Sequence, residues 1–201
     1  MRKSKYLVFN SFYFNFNDDL SEIKEIKELF ENQNILDLER FDKMKIIIKK
    51  NFFANENINF IYLPVSIEKI GEFAFYINQI KSLDLSNCIN LNIISDCAFK
   101  SNQIKQLKLP KNIEVMYKDA FKNNKIEMLD LSNCTNLKLI VSNAFAENPL
   151  NEIKILDNIE IGYDKKNIDD LWNKFVKYYN DNKMKSGDYK YNNNEWKWYP
   201  L

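Results

Sequence analysis

The chain contains no histidine among its 201 residues. This removes the side chain that titrates near neutral pH, the commonest zinc ligand, and every serine–histidine or cysteine–histidine catalytic pair. Glycine is nearly as scarce: there are three, unclustered, so no glycine-rich loop can cradle a phosphate. Cysteine also numbers three, with no CxxC pair. An odd count without that spacing reads as buried, reduced thiols in a reducing compartment, not as a metal or redox site. No stretch approaches the ~20 apolar residues of a membrane span, so no membrane insertion is expected. Net charge is only +1, since acidic residues cancel the abundant lysines, and no specific nucleic-acid binding is predicted. Carboxylates and lysines remain for chemistry, but the commonest enzyme classes are gone and no cofactor is implied.

What is present suits one soluble domain, with 45% hydrophobic and 28% charged residues. That is too apolar for a disordered chain and long enough to bury a core. The opening "MRKSKYLVFNSFYFNF" has basic residues at Arg2, Lys3 and Lys5, but Asn10, Asn15 and Asn17 break its apolar run. Tyr6 to Phe16 therefore reads as an aromatic strand and not as a signal peptide, which makes the expected location cytoplasmic.

The dominant feature is repetition. "AFYINQIKSLDLS" at 74–86, "AFKSNQIKQLKLP" at 98–110, "AFKNNKIEMLDLS" at 120–132 and "AFAENPLNEIKIL" at 144–156 are near copies. Their LxL triplets, with one at 36 and one at 61, start at 36, 61, 83, 107, 129 and 153, giving spacings of 25, 22, 24, 22 and 24. Periods of this size with an LxL strand predict a solenoid of stacked rungs. The alternation of 22 and 24 means two unit types in a 46-residue super-repeat. One type reads "YLPVSIEKIGEFAF" (62–75) and "KLPKNIEVMYKDAF" (108–121); the other reads "LDLSNCINLNIISDCAF" (83–99) and "LDLSNCTNLKLIVSNAF" (129–145). Residues 36–60 read as a degraded copy of the second type, with Phe41, Met44 and Phe52 matching Cys88, Leu91 and Phe99 by period.

Each column then acquires a task. Leu83 and Leu85 point to one face of a strand because side chains alternate. Phe52, Phe75, Phe99, Phe121 and Phe145 form an interior file on the return side. Asn55, Asn78, Asn102, Asn124 and Asn148, each three residues on, form an amide ladder that satisfies loop backbone groups. Cys88 and Cys134 lie two rungs, hence ~10 Å, apart, which is too far for a disulfide. The middle residues of the triplets, Asp37, Tyr62, Asp84, Lys108, Asp130 and Lys154, point outward. They form either a self-neutralising ion-pair ladder or a polar docking surface for a protein. Ile46, Ile93, Val115 and Leu139, interrupted by Lys69, are assigned to the core.

The ends read as caps. "DDLSEIKEIKELFENQ" places Ile23, Ile26, Leu29 and Phe30 at helical spacing behind Asp18 and Asp19. "NIDDLWNKFVKYYNDNK" (167–183) places Ile168, Leu171, Trp172, Phe175, Val176 and Tyr179 on one helical face. "DYKYNNNEWKWYP" then reads as a hairpin turning at Asn192–Asn194, with Tyr189, Tyr191, Trp196 and Trp198 covering the last rung. The paired acids Asp18/Asp19 and Asp169/Asp170 read as helix-start residues, not as a catalytic carboxylate pair. The chain divides into a cap over 1–35, a solenoid over 36–162 and a second cap over 163–201.

The AF-x-x-[N/C]-x-[L/I]-x-x-[L/I]-x-[L/I]-P phrase, shared by five units over roughly 36–162, resembles the BspA-type (treponemal) leucine-rich repeats of bacterial proteins. The resemblance implies an α/β leucine-rich-repeat solenoid, right-handed, with a parallel β-sheet along one side and short helical turns after each "AF". It also implies binding functions, often adhesion. The reading is a non-enzymatic protein-interaction module with the outward triplet residues as its partner-binding set. The alternatives are a surface or secreted adhesin whose export signal lies outside this sequence, and a phage- or mobile-element-encoded inhibitor of a host effector such as a defence nuclease.

Overall fold

The structure, a computed structural model, describes residues 50–167 and 169–200, the strands Lys5–Leu7, Phe14–Phe16, Ile35–Asp37 and Ile46–Ile48, and Leu38. Each rung begins on a front strand of the LxL triplet: β3 (Ile35–Asp37), β5 (Phe60–Tyr62), β7 (Ser82–Asp84), β9 (Gln106–Lys108), β11 (Met128–Asp130) and β13 (Glu152–Ile155). A turn leads to a back strand: β4 (Ile46–Ile48), β6 (Ile67–Ile70), β8 (Ile93–Ile94), β10 (Val115–Met116), β12 (Leu139–Ile140) and β14 (Glu160–Ile161). The back strands form one continuous parallel sheet of six. The front strands pair in parallel as β3–β5, β7–β9 and β11–β13, with the ladder interrupted between these pairs. The pairs form across the 24- and 25-residue steps and the breaks fall at the 22-residue steps, so the two-unit period of the sequence reappears in the hydrogen bonding.

The triplet alternation does what the pleat requires: in β7 and β11 the middle residue is buried and its neighbours are exposed. Leu83, Leu85, Leu129 and Leu131 join Ile70, Ile94, Met116 and Ile140 of the back strands in one core. The segment after each back strand is a single turn closed by bonds such as Ala98 N–H to Ser95 O and Lys100 N–H to Cys97 O. Rungs also bond to each other here, Phe75 N–H to Ala98 O and Phe99 N–H to Ala120 O, both 2.8 Å. Two residues before and two after each interior phenylalanine the backbone is left-handed. Phe73 and Ile77 flank Phe75, Cys97 and Ser101 flank Phe99, Asp119 and Asn123 flank Phe121, and Asn143 and Glu147 flank Phe145.

The interior file exists, with one correction. Phe75, Phe99, Phe121 and Phe145 stack in parallel at 5.1–5.3 Å. The ring that continues the file is Phe53, 5.1 Å from Phe75, whereas the half-buried Phe52 meets Phe53 edge-on. Asn51 and Asn55 are the left-handed pair around it, so Asn55 is an exposed flanking residue and not a ladder member. The cause is one extra residue in the first copy. Leu36 pairs with Ile61, 25 residues on, but Ile48 pairs with Ile70, 22 residues on, so the extra residue falls between β3 and β4. Counting by period from Leu36 therefore lands one position early at the phenylalanine. The same offset puts Ile47, not Ile46, opposite Lys69. Phe41 and Met44 lie outside the described residues.

The four remaining asparagines are buried and form the ladder. Asn124 Nδ2 donates to Phe99 O (3.0 Å) and Phe121 O (2.9 Å), while its Oδ1 accepts Ile104 N–H (3.0 Å). Asn102 and Asn148 repeat the pattern, and Asn78 bridges to Phe53 O and Ile58 N–H. Each side chain ties its own turn to the turn before it.

At the C-terminal end, α1 (Leu171–Asp181) buries Trp172, Asn173, Phe175, Val176 and Tyr179. Asp170 caps it by accepting from Trp172 N–H and Asn173 N–H, as expected for a helix-start acid. Trp172 continues the phenylalanine file, 5.1 Å from Phe145, and Phe175 carries it on toward Tyr189 and Trp196. A hairpin of β15 (Gly187–Asn192) and β16 (Glu195–Tyr199) turns at Asn193 and Asn194, both left-handed. The hairpin extends the front sheet, with β15 antiparallel to β13. Tyr189 and Trp196 are buried, and Tyr191 and Trp198 pack against the core. At the other end, β1 (Lys5–Leu7) and β2 (Phe14–Phe16) form an antiparallel pair. The expected helix at 18–33, with Asp18, Asp19, Ile23, Ile26, Leu29 and Phe30, lies outside the described residues, as does Ile168.

Candidate functional site

The front strands carry the outward triplet residues side by side. Leu83 pairs with Leu107 and Leu129 with Ile153, so Asp84 stands opposite Lys108 and Asp130 opposite Lys154. The expected ion-pair ladder closes at one of these two steps. Lys108 Nζ lies 2.9 Å from Asp84 Oδ2, whereas Lys154 pairs with Glu152 on its own strand at 3.7 Å. Tyr62 is 47% exposed. Asp37 pairs in backbone register with Tyr62, and its side chain lies outside the described residues.

The two aspartates have a second task that the sequence reading missed. Asp84 Oδ1 accepts from the N–H and hydroxyl of Ser86, and Asp130 Oδ1 does the same with Ser132. The D-x-S spacing within "LDLSN" is the signal for this turn. Burial opposes the ionised form, but the Ser86 hydroxyl and the Lys108 ammonium outweigh it and hold the Asp84 carboxyl below its usual range.

The same face exposes large apolar side chains. Phe60 and Tyr62 on β5 are 46% and 47% exposed, and Met128 on β11 is 52% exposed. Phe60 and Met128 precede the first leucine position of their triplets, so strand alternation alone places them outward. Between them stand Ser82 and Gln106. The front face is thus mixed: apolar on two rungs, charged along the middle column, and continued by Lys190, Asp188 and Tyr199 of the hairpin.

The back face differs. Ile93, Val115 and Leu139 are half-buried, while Ile94, Met116 and Ile140 beside them are fully buried. The expectation that the former belong to the core is therefore corrected: alternation turns them outward, where they form an apolar column. A shallow open hollow lined by Glu68, Lys69, Asn90, Asn92 and Ile93 lies at one end of it.

The arrangement offers little to acid–base or metal chemistry. Among the described residues no group of three or more Cys, Asp or Glu side chains is placed to hold a metal ion. Cys88, Cys97 and Cys134 are free and buried. Burial pushes the Cys134 thiol up to about 12, with Asp130 adding to the effect, which leaves no reactive thiolate at neutral pH. Among the described residues no helix is long and apolar enough to cross a membrane.

Comparison with known proteins agrees with this geometry. No curated protein and no solved structure matches the chain. Residues 46–165 match the model of the BspA type leucine rich repeat region, in six copies. The matched span holds all six back strands and every ring of the phenylalanine file, and the chain belongs to the BspA-type leucine-rich repeat family.

Proposed function

We propose that the chain is a non-enzymatic protein-interaction module and that its partner docks on the front face. Leucine-rich repeats are in general binding scaffolds, which supports the class. The observation that carries the face is the exposure of Phe60, Tyr62 and Met128 on a sheet whose backbone is fixed by the rungs around it. Half-exposed aromatic and methionine side chains cost the free protein solubility, and they are the residue types enriched where partners bind. Asp84, Lys108, Asp130 and Lys154 supply the polar surround that sets register and discriminates between partners. The proposed location is the cytoplasm, which suits three reduced thiols.

The test is capture of the partner from lysate of the source cells, followed by its identification. Tyr62→Ala/Met128→Ala and Asp84→Lys/Asp130→Lys are each expected to lose that partner at least tenfold, the order of effect of removing a hot-spot side chain. Both alter exposed positions, so the melting temperature is expected to hold within a few degrees. Undiminished recovery with both variants rules out the front face.

A further inference from the structure

The outward column of the back sheet has an internal symmetry. In strict backbone register it reads Lys69, Ile93, Val115, Leu139, Glu160. One end is a cation, the other an anion, and the three positions between are apolar. Tyr117, 38% exposed, and the half-buried Val141 widen the apolar area on the next outward column. Lys69 and Glu160 are exposed, and among the described residues neither has an ion-pair partner within the chain. Sheets made only of parallel strands are normally covered on both faces, yet among the described residues no element covers this one.

We infer that this face binds a second copy of the same chain, back sheet to back sheet, about a two-fold axis running along the strands through Val115. The argument is charge complementarity. Turning the column end for end sets Lys69 against Glu160 of the second copy at both ends, Ile93 against Leu139, and Val115 against itself. The alternative two-fold arrangement, with the stacking directions aligned, sets Lys69 against Lys69 and Glu160 against Glu160, and repels. A two-fold contact is isologous, so a surface that is its own complement on reversal is what such an interface requires. The apolar column spans four steps of ~4.8 Å, and the sheets would pack ~10 Å apart. A patch this small falls below the standard interface size, so the dimer is a weak one, with Kd between roughly 10 µM and 1 mM.

Sedimentation velocity over a concentration series reaching about 1 mM tests the inference, since that range brackets such a Kd. The wild-type chain is expected to shift from monomer to dimer. Val115→Lys, which sets two ammonium groups face to face on the axis, is expected to leave it monomeric. Lys69→Glu and Glu160→Lys alone are each expected to weaken association about tenfold. An equimolar mixture of those two variants is expected to recover wild-type association, because each chain then meets its complement at both ends. Both charge reversals are at exposed positions, so melting curves that match wild type separate loss of contact from loss of fold. A wild-type chain that stays monomeric throughout overturns the inference, including the case where the back face captures a different protein. So does a dimer indifferent to all three substitutions, or a mixture that fails to recover.

Discussion

At the scale of single residues, the asparagine ladder and the left-handed positions pull in opposite directions on stability. Asn124 satisfies two carbonyls and one N–H that no water reaches. Asn124→Ala strands all three, and each buried unsatisfied group costs about 1–3 kcal/mol, non-additively. The expected loss is about 3 kcal/mol, read as a fall in urea midpoint at unchanged m-value. Ile77 is the converse case. It holds φ at 52°, is 44% exposed, and occupies the flanking position where two other rungs carry Asn55 and Asn123. A β-branched residue there is strained, whereas asparagine tolerates the conformation. Ile77→Asn is therefore expected to stabilise the protein by about 1 kcal/mol in the same urea experiment. An unchanged or lower midpoint would mean that the Ile77 side chain contributes packing that offsets its backbone strain.

At the scale of elements, the phenylalanine file shows what periodicity reveals and where it misleads. The rungs, the buried leucines, the file from Phe75 to Phe145 and the helix-plus-hairpin at the C-terminal end were legible, because each follows from alternation or from a fixed spacing. The first rung was misread by one residue, since a spacing counts residues and cannot say where in the rung an insertion sits. The back-face column was misassigned for a different reason: Ile, Val and Leu in two-residue strands look like core, and only the sheet register shows which of two adjacent apolar residues turns outward. The extra partnering of β15 with β13 was illegible too, because strand pairing across a helix leaves no spacing to count. The corrected register predicts unequal effects at adjacent phenylalanines. Phe53→Ala empties an interior position between rungs and is expected to cost about 3–5 kcal/mol. Phe52→Ala removes a half-buried ring and is expected to cost about 1 kcal/mol or less. Paired chemical denaturation curves decide it, and a larger loss at Phe52 would restore the register counted from Leu36.

At the scale of the whole molecule, the fold is a stack in which each rung touches only its neighbours, so its stability is a sum of rung and interface contributions. The unit that can be removed without creating a new kind of interface is the 46-residue super-repeat, because the two rung types alternate and the front ladder breaks after every second strand. Deleting residues 85–130 joins Leu83-Asp84 to Leu131-Ser132 and recreates the "LDLSNC" phrase across the junction. Phe75 then stacks on Phe145, Asn148 donates to Phe75 O in place of Phe121 O, and β7 meets β13 across the step that β11 used. The shortened chain is expected to fold, with the same circular dichroism shape, and to melt cooperatively at a lower temperature because two rung interfaces are gone. A deletion of residues 85–108, one rung alone, brings two units of the "LxLP" kind together and places a 22-residue step where a 24-residue step belongs. That chain is expected to be substantially less stable than the longer deletion despite retaining more residues. If the two deletions instead rank by length, the alternation carries no structural meaning, and rungs of either kind stack equally well.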